Sequence, residues 1–127
     1  MNELSQHHQD FSSNGFITLK EYLTPQEVQE LEKHLGHYIQ QIAPSLPPSD
    51  VFYEVTGDPA TLKQLQWMER NDDFFRSLPN RPKFLQLAEV LLGGPVVLRG
   101  VEFFNKPARI GKPTHAHQDG YYFCLVP

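Results

Sequence analysis

One short segment, Thr24-Pro25-Gln26-Glu27, constrains the fold more than any other part of the sequence. Thr at the N-cap, Pro at the first helical position and Glu three residues after Thr form a capping box, which starts a helix. Apolar residues then recur every three or four positions until Pro44 ends the pattern, so one face of this helix is predicted to pack on a core. This apolar stripe consists of Val28, Leu31, Leu35, Tyr38 or Ile39, and Ile42.

Other local signals predict three more helical segments. They are Glu3–Ser13, a short turn capped by Asn71 or Asp72, and a helix from Pro82 to Gly93-Gly94. Asn14-Gly15 follows the first of them and ends it, since Asn and Gly tolerate a positive φ. The short turn carries Phe74 and Phe75, whose rings we expect in the core rather than in a substrate pocket.

Five further segments are predicted as strands, most of them from their β-branched and aromatic residues and one, Leu62–Met68, from the alternation of Leu65 and Trp67 with glutamines. They are Phe16–Leu19, Val51–Val55, Leu62–Met68, Val96–Lys106 and Lys112–Phe123. Pro107 ends the fourth strand because proline cannot donate to a ladder. A loop through Gly111 and Pro113 then leads into the fifth, as in a hairpin. The pattern predicts an α+β fold.

Length and charge exclude several classes of protein. The 127 residues carry a net charge of -4 and form one small domain or part of one. Basic residues are scattered rather than interleaved with aromatics, so we expect no nucleic-acid partner. No apolar run reaches membrane length, and the first residues lack the pattern of a signal peptide. Cys124, the single cysteine, cannot form an intrachain disulfide, which favours a reducing compartment and predicts a cytoplasmic protein.

The chemistry is predicted in the fifth strand, where His117 and Asp119 stand two residues apart. On a strand, alternate side chains leave the same face, roughly 7 Å apart at Cα. Non-haem Fe(II) oxygenases bind iron through two His and one carboxylate, so His-x-Asp would supply two of the three ligands. A surface or capping pair is the simpler interpretation of the triplet alone.

The other histidines fit a metal site less well. His115 shares the face of His117 and Asp119, but three such ligands would span roughly 13 Å along a strand, so His115 is predicted either to support the ligands from behind or to line the pocket. His34 and His37 lie at positions i and i+3 of the capped helix without a nearby carboxylate pair and are predicted on its surface. The adjacent His7 and His8 point about 100° apart on a helix and cannot easily share an ion.

Several motifs in a fixed order resemble the N-terminal half of the phytanoyl-CoA dioxygenase family. They are Asn14-Gly15-Phe16, the capped Leu-Thr-Pro-Gln-Glu-Val helix, Leu91-Leu92-Gly93, Phe104-Asn105-Lys106-Pro107 and His117-Gln118-Asp119-Gly120-Tyr121-Tyr122-Phe123. The most specific feature is Asn-Lys-Pro followed some ten residues later by His-Gln-Asp and an aromatic cluster. Any one of these motifs is common, whereas their order and spacing together are not.

The resemblance implies an Fe(II)- and 2-oxoglutarate-dependent oxygenase that hydroxylates a C–H bond of a small organic or acyl substrate with O2. Its fold would be α+β, with N-terminal helices packed on part of a double-stranded β-helix, a cupin-like jelly roll, over residues 1–127. His117 and Asp119 would then bind iron and Lys106 would contact 2-oxoglutarate. Gln118 would lie near the cosubstrate, and His115 and Tyr122 would line the substrate pocket.

The sequence departs from the family at its C-terminal end. The second iron-binding His and the Arg that binds 2-oxoglutarate lie on later strands in the family, and neither follows Asp119 here. We therefore expect a truncated chain, inactive alone, whose apolar run 121–126 forms an unpaired strand and can join a second copy of the chain. Two rival hypotheses remain: a cupin-like metal-binding protein without oxygenase activity, and a non-catalytic domain that recruits a partner through this strand.

Overall fold

The computed structural model describes residues 3–120, and this part of the chain folds as α+β. Its α-helices and strands, in chain order, are α1 (Glu3–Asn14), α2 (Pro25–His37), β1 (Val51–Tyr53), β2 (Leu62–Leu65), α3 (Asp73–Ser77), α4 (Pro82–Leu92) and β3 (Phe103–Phe104). Short 3-10 turns precede β2 and flank α3. Within residues 3–120, no helix combines the length and apolar character needed to cross a membrane.

The capping box at the start of α2 is confirmed. The Thr24 hydroxyl accepts a hydrogen bond from the Glu27 backbone N–H at 3.2 Å, and the Glu27 carboxylate accepts one from the Thr24 backbone N–H at 2.7 Å. The predicted helix is not continuous to Ile42, however. From Tyr38 onward the backbone widens into a π-helical turn, in which the Ala43 N–H donates to the Tyr38 carbonyl. The hydrogen bond of a π-helical turn spans one residue more than that of an α-helical turn.

Two ion pairs join α2 to α4. Lys83 Nζ lies 2.7 Å from Glu27 Oε2, and Arg81 forms a two-nitrogen contact with the Glu30 carboxylate at 2.9 and 3.2 Å. The hydrogen bond from Lys83, together with that from the Thr24 backbone, lowers the pKa of Glu27 to about 2. The hydrogen bonds from Arg81 likewise lower the pKa of Glu30. Both carboxylates are therefore ionised at neutral pH, which favours the packing of α2 beside α4.

β2 lies at the centre of an antiparallel sheet of order β1-β2-β3. Val51 faces Leu65 across the first pair, and Gln64 faces Phe104 across the second. A bulge between Phe52 and Tyr53 interrupts the first pair. β1 and β2 therefore confirm two of the predicted strands, although both are shorter than the sequence pattern suggested.

The core lies where the sheet meets α3 and the turn after α2. It consists of Tyr38, Ala43, Leu62, Leu65, Met68, Phe74 and Phe75. The Tyr38 and Phe75 rings meet edge to face, with centroids 5.5 Å apart, a preferred geometry for aromatic pairs. Asp72 is the predicted cap of α3, and its carboxylate accepts from the Phe75 N–H. The prediction that Phe74 and Phe75 belong to the core is confirmed.

The N-terminal helix packs against α4. His8 Nδ1 lies 2.9 Å from the Val90 carbonyl and 3.2 Å from the Leu91 carbonyl, so the ring donates to carbonyls that the last turn of a helix leaves unpaired. Gly93 then ends α4 with φ +73°, the left-handed cap expected from the Gly-Gly pair. The predicted boundaries of α1 and α4 are therefore confirmed within one or two residues.

Two predicted strands are wrong in the described residues, and a third is shorter than predicted. The segment 16–19 has no strand and the segment 112–118 is irregular, whereas within the segment 96–106 only Phe103 and Phe104 form a strand, which is β3. Side chains in two of these segments are strongly exposed, with Phe16 at 66% and Val97 at 95% of their full accessible area. A strand needs a neighbour to pair its backbone groups, and composition alone does not supply one.

Candidate functional site

Lys106 follows directly after β3, where the chain is tied to β2. The Asn105 backbone N–H donates to the Lys63 carbonyl at 2.8 Å, and its side-chain amide donates to the Leu62 carbonyl at 2.9 Å. A turn then begins at the buried Pro107, whose carbonyl accepts from the Gly111 N–H at 2.9 Å. The sheet thus fixes the backbone on one side of Lys106, and a tight turn fixes it on the other.

His117 and Asp119 come together in an irregular segment rather than on a strand. His117 Nε2 lies 3.2 Å from Asp119 Oδ1. His117 Nδ1 lies 2.7 Å from the His115 carbonyl, which can only accept, so Nδ1 carries the proton. The His115 backbone therefore fixes the ring tautomer and turns Nε2 toward the carboxylate. A backbone carbonyl behind the distal nitrogen is the usual support of a metal-binding histidine.

The spacing of this pair fits a shared metal ion. Two ligands bonded at about 2.1 Å and at right angles to one ion lie about 3 Å apart, close to the observed separation of nitrogen and oxygen. One imidazole and one carboxylate also match the donor types of a non-haem Fe(II) centre. The same spacing suits an ion pair between a protonated imidazole and a carboxylate, so the geometry fits iron without requiring it.

A third protein ligand does not belong to the described part of the chain. Across residues 3–120, no group of three His, Cys, Asp or Glu side chains is placed to hold one metal ion. The side chains of His117 and Asp119 are 42% and 71% exposed, so the pair opens toward solvent. An ion held here would therefore keep several positions for other ligands.

Lys106, His115 and His117 line one cavity of about 520 Å³. The structure thus brings together three of the residues singled out in the sequence, and Asp119 contacts the third of them. Gln118 is exposed and lies outside the lining of this cavity. Tyr122 falls outside the described residues, as does the apolar run 121–126 with its predicted strand.

The same cavity contains charged residues that the sequence analysis missed. Lys63 on β2, Lys112 and Glu54 all line it. Lys63 Nζ lies 3.9 Å from Glu54 Oε1, and the Lys112 backbone N–H donates to that same oxygen at 3.2 Å. Glu54 and Lys112 are 58 positions apart in the chain, so no local spacing motif could have connected them. With Lys106, three lysines and one glutamate, Glu54, line the cavity.

The remaining histidines lie away from this cavity. The His34 ring stacks on the Phe74 ring, with centroids 3.9 Å apart and planes parallel within 1°. His34 and His37 border a separate cavity beside Asp72 and Asp73. His8 contacts the end of α4, as described above. None of these groups meets the requirement of three clustered ligands within residues 3–120.

Comparison with known proteins gives one match, to a family model that covers most of the chain. The family model of phytanoyl-CoA dioxygenase (PhyH) matches residues 11–127, which include every motif and every cavity residue described above. Neither the curated proteins nor the solved structures contain a significant match to the chain. Proteins of this family are in general dependent on Fe(II) and 2-oxoglutarate. From the extent of the match, the chain belongs to the phytanoyl-CoA dioxygenase family.

Proposed function

We propose that this chain is part of an Fe(II)- and 2-oxoglutarate-dependent dioxygenase that hydroxylates a C–H bond of a small organic or acyl substrate. His117 and Asp119 are its iron ligands. The observation that carries the proposal is the 3.2 Å separation of His117 Nε2 and Asp119 Oδ1, next to a cavity that Lys106 also lines. Family membership supports the type of reaction, and the geometry supports the choice of residues.

The lysines of the cavity suit the cosubstrate. 2-Oxoglutarate carries two carboxylates, and ammonium groups donate charge-assisted hydrogen bonds to carboxylates. Lys106 is the contact proposed from the sequence, and Lys63 is a second candidate because it lines the same cavity from β2. The excess of lysines over acidic residues in the lining favours a dianion there. Gln118 and Tyr122 remain predictions from the resemblance.

The residues of this chain position and orient the reactants. The His115 carbonyl holds the proton on His117 Nδ1, so that Nε2 is available on the side of Asp119. The lysines offset the charge of the cosubstrate beside the iron ligands. Iron and 2-oxoglutarate, when bound, supply the oxidising power that activates O2 toward a C–H bond. His115 also lines the cavity and is proposed to contact the substrate.

Full iron binding requires a third protein ligand, which we propose lies outside residues 3–120. That residues 1–127 form the N-terminal part of a double-stranded β-helix domain remains a prediction from the resemblance. A cytoplasmic location remains a prediction from the single cysteine. Association of two copies through the segment 121–126 remains a prediction as well.

The proposal is tested by adding Fe(II) and 2-oxoglutarate to the protein without oxygen. Chelation of iron by 2-oxoglutarate gives a weak visible charge-transfer band, and we expect it in the parent protein at about 1 mM iron, since two protein ligands bind loosely. His117→Ala and Asp119→Ala should abolish the band. His37→Ala is the matched control, because His37 lies beside a different cavity, and should preserve it.

The lysines are tested in the same titration. Lys106→Met keeps the length of the side chain and removes its charge, so the half-saturating concentration of 2-oxoglutarate should rise about tenfold. Metal binding without any band in the parent protein would refute the oxygenase and favour the non-catalytic metal-binding protein. Self-association that His117→Ala and Asp119→Ala leave unchanged, in a protein that binds no metal, would favour the interaction domain.

A further inference from the structure

Glu54 is a nearly buried carboxylate that the proposed reaction does not use directly. It follows β1, and its side chain is only 7% exposed. A carboxylate at this depth is costly unless its oxygens are paired. Here the Lys112 backbone N–H and the Lys63 ammonium both face Oε1, at 3.2 and 3.9 Å. One oxygen atom thus links β1, β2 and the start of the segment that carries His117.

That link matters because the segment after Lys112 has no strand pairing in the described part of the chain. Lys112 lies five positions before His117 and seven before Asp119, with irregular backbone between them. A segment without a ladder relies on individual contacts to hold its position. The bond to Glu54 fastens its first residue to the sheet, on the side where Lys63 and Lys106 line the cavity.

We infer that Glu54 is a positioning residue, which holds the ligand-bearing segment 112–119 at a fixed distance from the cavity lysines. It acts through the Lys112 backbone rather than as a ligand of the metal. The inference rests on the proposed function for its catalytic meaning, whereas the tether itself is independent of any metal. Without the tether, His117 and Asp119 must be ordered by the ion at the moment of binding, and this weakens affinity.

Glu69 provides a matched control for a purely structural carboxylate. Its Oε2 accepts a hydrogen bond from the Val101 backbone N–H at 2.9 Å, so it also fastens a distant segment to its own. Glu69 does not line the cavity of Lys106 and His117. Removal of either carboxylate therefore breaks one hydrogen bond to a distant backbone N–H. Of the two, Glu54 is the one bonded to the segment that carries the proposed ligands.

The experiment compares Glu54→Ala, Glu54→Gln and Glu69→Ala with the parent protein by two measurements. The first is amide hydrogen exchange of residues 112–118 without metal, followed by NMR. We expect exchange at Lys112 to accelerate about tenfold in Glu54→Ala, because a hydrogen bond to a charged acceptor is lost. Glu54→Gln retains an acceptor of the same size and should recover most of the protection. Glu69→Ala should leave these amides unchanged.

The second measurement is the dissociation constant for Co²⁺ alone, followed by its visible spectrum. Glu54→Ala should weaken Co²⁺ binding about fivefold or more, and Glu54→Gln and Glu69→Ala should stay within about twofold of the parent protein. Equal exchange rates at Lys112 in Glu54→Ala and the parent protein would overturn the inference. So would unchanged Co²⁺ affinity in a variant whose segment had loosened. If neither the parent protein nor any variant binds Co²⁺, but Glu54→Ala alone accelerates exchange in the segment, the tether is confirmed and the proposed function is refuted.

Discussion

Replacement of Gly111 by alanine tests how closely the turn after Lys106 is packed. A Cβ at this position would lie 3.0 Å from the Pro107 carbonyl oxygen, 3.1 Å from Lys106 Cβ and 3.2 Å from Lys106 C. Carbon atoms normally pack at about 3.5–4.0 Å, so the turn must open by about 0.5 Å. Two of the three atoms belong to the backbone, which cannot rotate away as the end of a side chain can.

Two opposing effects determine how the substitution changes the free energy of unfolding. Overpacking of this kind lowers it by about 1–3 kcal/mol, whereas alanine raises it by about 0.4–1 kcal/mol because it restricts the unfolded chain. We therefore expect Gly111→Ala to lower the free energy of unfolding by about 1 kcal/mol, or Tm by about 4 °C. Lys106 must move with the turn, so the affinity for 2-oxoglutarate should also fall.

Gly36 offers the matched control within the same protein. It lies in α2, and a Cβ there would meet nothing within 4 Å. Gly36→Ala should therefore raise the free energy of unfolding by about 0.5–1 kcal/mol. Urea unfolding followed by circular dichroism measures both variants. A Gly111→Ala protein that is as stable as Gly36→Ala, with unchanged NMR shifts at Lys106, would refute the packing argument.

Three further predictions concern stability. Leu65→Ala empties a fully buried position and should cost about 2–5 kcal/mol in urea unfolding, whereas Val97→Ala, at a position 95% exposed, should change stability by less than about 0.5 kcal/mol. Thr24→Ala removes the N-cap and should cost about 1 kcal/mol, with a loss of helical circular dichroism signal if α2 frays. The third prediction concerns the dependence of stability on pH. Because Lys83 lowers the pKa of Glu27 from 4.5 to about 2, its stabilisation is complete above pH 4.5 and is lost as the pH falls toward 2. Glu27→Gln should flatten that part of the curve of stability against pH.

The start of α2 and the end of α4 were predictable because their causes are local. The Thr24 box and the left-handed Gly93 each act within one turn of chain, and both appear where the sequence placed them. Strands were harder, since a strand exists only when a second segment pairs with it. The segment 16–19 has the right residues but pairs with no strand among residues 3–120, and the segment 112–118 is irregular in the same way. Composition could not reveal which stretch would find a neighbour.

In the candidate site, too, the residues close in sequence were predictable, and those brought together by distant contacts were not. His117 and Asp119 stand two positions apart, so any compact backbone brings them close, and an irregular one did so where a strand had been predicted. Lys63 and Glu54 escaped notice because only the register of β1 on β2 brings them to the cavity. A lone lysine in a short strand carries no motif. The role of Lys63 depends on a contact across the sheet, which could not be predicted from the sequence.

The contact between α1 and α4 also sets an order of events during synthesis. His8 bonds to carbonyls 82 and 83 positions later in the chain. At roughly 5–20 residues per second, a ribosome needs about 4–16 s to make that partner after His8. Helix α1 leaves the ribosome first, yet it cannot dock until α4 has followed it. During this interval the face of α1 that later contacts α4 is exposed, and other proteins, including chaperones, can bind it.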